Sequence, residues 1–211
     1  MARPAAGTVA IFVGAGYVGL VTAACLAEKG HELSCVDLDP GRVARINRGQ
    51  SPIFERGLSE LLAKHAGQRL SATTDLRAAV SRTELTLVAV GTPFDGSSID
   101  LRLIERAALE LGAALREKAG RHTVVVKSTV VPGTTDGVIR AALESASGKR
   151  AGPDFGLGVN PEFLTEGEAV SDFMEPDRIV IGAFDERTRG ALAELYSGFP
   201  GAELVHTNDP T

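Results

Sequence analysis

The stretch Thr8-Val9-Ala10-Ile11-Phe12-Val13-Gly14-Ala15-Gly16-Tyr17-Val18-Gly19-Leu20 decides how the rest of the chain is read. Its first half is a short β-rich apolar run. Its second half has the spacing G-x-G-x-x-G at the start of a helical pattern over residues 17–29. Each glycine has its own task in that spacing. Gly14 permits the tight turn, Gly16 lets backbone approach a pyrophosphate, and Gly19 lets the helix lie close on the strand. The phosphates of a dinucleotide would sit at the first turn of the helix, where unpaired N–H groups and the macrodipole favour an anion. Three glycines alone are a weak signal. Here they follow a strand pattern, open a helix and precede a second strand, 32–37, whose last residue is an acid 23 positions after Gly14.

That acid, Asp37, can accept hydrogen bonds from both hydroxyls of an adenosine ribose, and its charge repels a 2′-phosphate, which favours NAD over NADP. Arg42, five residues on, argues the other way, because a guanidinium there can pair with a phosphate. The bland alternative is a glycine-rich turn with Asp37 as a helix-capping acid.

Outward from this unit, strand and helix patterns alternate. Asp39-Pro40 reads as an N-cap followed by proline at the first helical position of a helix to residue 47. Helices are expected at 58–65, 75–80, 101–118, 134–145 and 186–197, and strands at 85–90, 122–127, 155–160, 178–183 and 203–206. Residues 51–57 read as a loop. This alternation predicts an α/β chain: a Rossmann-type doubly wound parallel sheet with helices on both faces, forming a single domain. Ligands of such sheets lie beyond the carboxyl ends of the strands. The loops after Val13, Asp37, Val90, Lys127 and Asn160 are therefore the candidate site.

Composition narrows the function classes. The 211 residues carry 22 Lys+Arg against 27 Asp+Glu, a net charge of −5 with no basic block, which argues against nucleic acid or an anionic membrane as partner. Only 5% of residues are aromatic and none is Trp, so a base- or sugar-stacking surface is not expected, while 24 glycines suggest tight turns near a ligand. Two cysteines, Cys25 and Cys35, make no disulfide framework and fit no zinc spacing; both read as buried small apolar residues. The four histidines are scattered, so no metal site is expected. A soluble, cytoplasmic chain follows.

The later loops carry the remaining chemistry: Val90-Gly91-Thr92-Pro93, then Lys127-Ser128-Thr129, then Asn160-Pro161-Glu162-Phe163-Leu164-Thr165-Glu166-Gly167. Two carboxylates four apart beside a threonine-rich loop can supply a base and a water-positioning group. Taken without further context, exposed loop acids are the simpler reading.

The blocks together are more specific. G-x-G-Y-V-G-L, the acid ending the second strand, S-P-I-F-E-x-G-L at 51–58, G-T-P at 91–93, K-S-T-V-V-P-G-T at 127–134, N-P-E-F-L-T-E-G at 160–167 and P-D-R-I-V-I-G at 176–182 resemble, in this order, the UDP-glucose/GDP-mannose dehydrogenase family. The resemblance covers essentially the whole chain. It implies oxidation of the C6 alcohol of a nucleotide-linked hexose, UDP-glucose before GDP-mannose, using two NAD in succession. It also implies NAD contacts from Gly14, Gly16, Tyr17, Val18, Gly19, Asp37, Arg42, Thr92, Thr129 and Glu166. Glu162, Phe163, Leu164, Thr165 and Glu166 would line the sugar side, with Thr129, Glu162 and Glu166 positioning water and moving protons. The family's central helix and its C-terminal nucleotide-sugar domain, with the nucleophilic cysteine, have no counterpart in residues 1–211. The expectation is an NAD-binding half that binds cofactor without turnover, monomeric by itself and part of a homodimer or larger assembly in the full enzyme. A β-hydroxyacid dehydrogenase domain and a non-catalytic dinucleotide-sensing module remain as alternatives.

Overall fold

The computed structural model describes residues 9–207, so Thr8, counted in the first strand pattern, and Thr211 lie outside the described residues. Eight strands form one sheet: β1 (Val9–Val13), β2 (Glu32–Val36), β3 (Leu70–Thr73), β4 (Leu85–Val88), β5 (Thr123–Val126), β6 (Gly156–Val159), β7 (Arg178–Ala183) and β8 (Glu203–Thr207). Their order is β3-β2-β1-β4-β5-β6-β7-β8. The direction of winding reverses between β1 and β4, and the crevice beyond their carboxyl ends is where such sheets bind ligands. The helices are α1 (Tyr17–Glu28), α2 (Pro40–Asn47), α3 (Leu58–His65), α4 (Leu76–Arg82), α5 (Arg102–Glu117), α6 (Arg140–Ser147), α7 (Ala169–Met174) and α8 (Glu186–Leu195).

The continuous apolar runs become strands buried on both faces. All four residues of β4 and of β5 are buried, as parallel strands covered by helices on each side require. Their side chains divide by parity. Leu85, Leu87 and Val125 pack into the core shared with α1, α3, α7 and α8, whereas Val88, Val124 and Val126 pack against α4, α5 and α6. Helix α1 is buried from Gly19 through Ala27, and this accounts for its apolar composition all round. Sequence-marked ends hold as well: Asp39 caps α2 through the Gly41 amide (2.8 Å), and Asp75 caps α4 through the Ala78 amide (2.9 Å).

Three features depart from the sequence reading. The sheet is not wholly parallel, because β7 runs antiparallel to β6, with β8 parallel to β7. The chain leaves β6 at the carboxyl edge and makes only the short α7 before re-entering the sheet, and such a return without a full crossover pairs antiparallel. Strand β3 was not expected either. Leu-Ser-Ala-Thr has no apolar run, and its place at the edge is held instead by the Asn47 side chain, which accepts from the Ala72 amide (2.7 Å) and donates to the Ala72 carbonyl (2.9 Å). Finally, the helix expected at 134–145 opens as a π-helical turn, Thr135–Ile139, before α6.

Candidate functional site

The carboxyl edge holds a cavity of about 270 Å³ at the β1/β4 switch point. Among its lining residues are Gly14, Gly16, Asp37 and Arg42, so four of the sequence candidates meet there. The Gly14 amide bonds to the Val36 carbonyl (2.9 Å), tying the turn to the end of β2. A Cβ on Gly14 would lie 2.8 Å from the Ala89 carbonyl oxygen, and one on Gly19 would lie 2.0 Å from the Gly14 oxygen. Gly16 is different: a Cβ there meets nothing within 4 Å, because the space in front of it is the cavity. Gly16 is the N-cap of α1, with no side-chain cap and no acid in the first turn, so the helix presents its unpaired amides there. This open, uncapped helix start fits a dinucleotide pyrophosphate.

Asp37 is fixed by its surroundings. Oδ2 accepts from the Ala15 amide (3.0 Å) and from Arg42 Nη1 (2.9 Å), and Oδ1 accepts from the Asp39 amide (2.9 Å). Arg42 is thus engaged with the carboxylate itself. The same cavity is walled by Leu38, Leu76 and Leu103, which sequence reasoning did not select. Leu38 and Leu103 are exposed, an apolar slot suited to a flat base. Their only sequence signal is a leucine directly after the acid and another on the outer side of an amphipathic helix.

Farther along the edge, hydrogen bonds stitch the remaining loops together. Thr92 Oγ1 donates to the Thr129 carbonyl (2.6 Å), and Ser128 Oγ donates to the Val90 carbonyl (2.7 Å). Lys127 Nζ donates to Asn160 Oδ1 (3.0 Å), which also accepts from the Tyr196 hydroxyl, while Asn160 Nδ2 donates to the Val180 carbonyl (2.9 Å). Lys127 is buried, and burial pushes its ammonium down to about 8, against the pull of the Glu162 carboxylate. Sequence alone assigns it no role beyond opening the Lys127-Ser128-Thr129 loop.

Glu162, Phe163 and Leu164 line a second, smaller cavity of about 50 Å³, together with Lys127 and Asn160. Glu162 Oε2 accepts from the Leu164 amide (2.7 Å) and Thr165 donates its amide to Asp172 Oδ2 (2.8 Å), so the loop folds on itself. Glu166 and Thr129 are exposed, and Phe163 is 61% exposed. Tyr17, Val18 and Gly19 do not line the large cavity; the Tyr17 hydroxyl is turned to Glu55, away from it. Cys25 and Cys35 are fully buried, and burial pushes both thiols up to about 12. No cluster of His, Cys, Asp and Glu able to hold a metal occurs among the described residues, and none of their helices is long and apolar enough to cross a membrane.

Comparison with known proteins gives a consistent picture. The model of the UDP-glucose/GDP-mannose dehydrogenase family, NAD binding domain, matches residues 8–200. The chain is 50% identical over 186 residues to UDP-glucose 6-dehydrogenase AglM of Haloferax volcanii, covering 88% of this chain and 43% of that protein. It is 47% identical over 186 residues to GDP-mannose 6-dehydrogenase of Pseudomonas aeruginosa, covering 87% and 42%. Among solved structures, a ternary complex of GDP-mannose dehydrogenase from Pseudomonas aeruginosa superposes with a TM-score of 0.91 at 44% identity, covering 96% of this chain and 46% of that one. A UDP-glucose dehydrogenase from Pyrobaculum islandicum gives 0.92 at 40% identity, covering 100% and 48%. The chain spans less than half the length of these relatives.

Proposed function

Since this chain belongs to the UDP-glucose/GDP-mannose dehydrogenase family and matches its NAD-binding domain, we propose that it is the cofactor half of a nucleotide-sugar 6-dehydrogenase. The reaction is oxidation of the C6 primary alcohol of one nucleotide-linked hexose to a carboxylate, UDP-glucose being the first choice of substrate and GDP-mannose the alternative. One observation carries the reading: an uncapped helix start at Gly16 and an anchored Asp37 share one cavity, and hydrogen-bonded loops bearing Thr92, Thr129, Glu162 and Glu166 continue from it.

Bound NAD supplies the hydride acceptor. The other tasks fall to this chain. Gly14, Gly16 and the amides of α1 take the pyrophosphate, Asp37 takes the ribose hydroxyls, and Arg42 holds Asp37 in place. Thr92, Thr129 and Glu166 face the reacting end. Loss of hydride from C6 requires loss of the hydroxyl proton, and Glu162 and Glu166 are the bases within this loop, with Thr129 orienting water. Neither cysteine can act as a nucleophile, because each is buried as a thiol. On this reading residues 1–211 alone bind NAD without completing the oxidation.

The test is calorimetric titration of residues 1–211 with NAD and NADP, for the unmodified chain and Asp37→Asn. NAD should bind at least about tenfold more tightly than NADP, and Asp37→Asn should narrow that ratio, as expected for a charge-assisted hydrogen bond. Tighter binding of NADP, or no binding of either, overturns the cofactor assignment. Steady NADH formation from UDP-glucose or GDP-mannose by this chain alone overturns the assignment of an incomplete catalytic site.

A further inference from the structure

Glu55 is the only fully buried Asp or Glu among the described residues, at 4% exposure. A carboxylate is costly to bury unless it is hydrogen-bonded, so its partners identify what it is for. Oε2 accepts from the Gly167 amide (2.8 Å) and from the Tyr17 hydroxyl, and the Gly167 amide also lies 2.9 Å from that hydroxyl oxygen. The three residues come from three places. Tyr17 is the first residue of α1, immediately after the turn that faces the cofactor cavity. Glu55 lies in the loop before α3, and Gly167 ends the loop that carries Glu162 and Glu166. Gly167 has φ +91°, a conformation that favours glycine and that aims its amide inward at Glu55.

We propose that Tyr17 and Glu55 are positioning residues that couple the cofactor helix to the acid loop, so that a dinucleotide seated on α1 fixes Glu166 at the edge of the cleft. This rests on the NAD reading given above. Tyr17 acts through its hydroxyl and Glu55 through its carboxylate; the coupling needs no contact between either group and the reacting atoms. Burial and the neighbouring Glu55 push the Tyr17 phenol up to about 12, so at neutral pH it remains a donor. Oε1 of Glu55 is buried without a hydrogen-bond partner among the described residues, so Tyr17 and the Gly167 amide, both on Oε2, are what hold the side chain. Hydrogen bonding outweighs burial and holds its carboxyl below the ordinary value, so it remains an acceptor. The geometry makes an asymmetric demand. Removing the Tyr17 hydroxyl deletes the hydrogen-bonded link from helix to loop but leaves Glu55 on Gly167, whereas neutralising Glu55 weakens both bonds.

Amide hydrogen exchange at Gly167 tests this, with residues 1–211, Tyr17→Phe and Glu55→Gln each measured with and without NAD. Calorimetry first sets a saturating NAD concentration for each protein. In the unmodified chain NAD should slow exchange at Gly167 by at least about tenfold, the change expected for one charge-assisted hydrogen bond. In Tyr17→Phe the protection without NAD should persist and the NAD-dependent increment should vanish. In Glu55→Gln both should fall. A merely structural brace lowers the melting temperature without altering the NAD-dependent increment, and that result overturns the proposal. So does an increment absent from the unmodified chain with NAD bound. Failure of the unmodified chain to bind NAD is seen in the calorimetry and removes the cofactor reading along with the coupling. Should Glu55→Gln not fold, Tyr17→Phe decides the matter alone, because it removes a single hydroxyl.

Discussion

The glycines of the first turn should fail in different ways when each is given a single methyl group. At Gly19 the added Cβ falls 2.0 Å from the Gly14 carbonyl oxygen and 3.4 Å from the Ala89 Cβ. Backbone lies in the way, so α1 must move off the sheet. Overpacking of this kind costs about 1–3 kcal/mol, and for a chain of this size each kcal/mol lowers the melting temperature by about 2–4 °C. Gly19→Ala should therefore melt roughly 2–12 °C lower. At Gly16 the backbone is φ −73°, ψ −163°, open to any residue, and the Cβ meets nothing within 4 Å. Alanine there gains about 0.4–1 kcal/mol by restricting the unfolded chain and loses a comparable amount as a poorer N-cap, so the two offset. Its methyl stands in the path of the pyrophosphate, and the same 1–3 kcal/mol of overpacking becomes a weakening of about 5- to 150-fold in Kd. The assay is paired: thermal unfolding without ligand, then NAD titration. Gly16→Ala should melt like the unmodified chain and bind NAD poorly, whereas Gly19→Ala should lose stability as well. A Gly16→Ala variant with unmodified NAD affinity, or a Gly19→Ala variant with an unchanged melting point, refutes the reasoning.

His122 gives a pH prediction. It is buried, its Nδ1–H donates to the Thr83 carbonyl (3.0 Å), and its Nε2 lies 2.7 Å from the Thr86 hydroxyl, which completes the bonding of the ring. Burial first, then the Lys118 charge, push its pKa down to about 3 from 6.5. Because the unfolded chain takes the proton first, this stability is intact above pH 6.5 and is lost as pH falls toward 3. At about 1.4 kcal/mol per pH unit, roughly 2 kcal/mol should disappear between pH 7.5 and 5 in denaturant titrations. His31, also buried and lowered, adds with the same sign. A His122→Gln variant should remove most of that slope, and an unchanged slope would count against the neutral assignment. For Cys25 and Cys35, both fully buried with thiols pushed up to about 12, a thiol reagent at pH 8 should label neither in the folded chain and both in denaturant. Stoichiometric labelling of the native protein would show that one of them is accessible.

What the sequence determines by itself is whatever depends on neighbours along the chain. The continuous apolar runs of β4 and β5, the N-caps Asp39 and Asp75, and the glycine spacing at 14–19 are local patterns, and the structure keeps them. Helix α1, strand β2 and Asp37 are legible together for the same reason, since one short βαβ unit contains them. The Leu-Ser-Ala-Thr edge strand and the antiparallel return of β7 are not local. The first is held by the Asn47 side chain, 25 positions away, and the second follows from a chain that stays on the carboxyl edge after β6. The candidate site divides along the same line. The candidates Gly14, Gly16, Asp37 and Arg42 could be named from the sequence, and they meet at one cavity. How the loops are held could not be read there, because Glu55 bonds Gly167 across 112 positions and Lys127 bonds Asn160 across 33. A linear pattern carries no record of such partners: a buried carboxylate and a solvated one are the same letter. Only tertiary packing, by removing water from Glu55 and Lys127, makes those bonds obligatory and so decides how the loops of the cleft are set against one another.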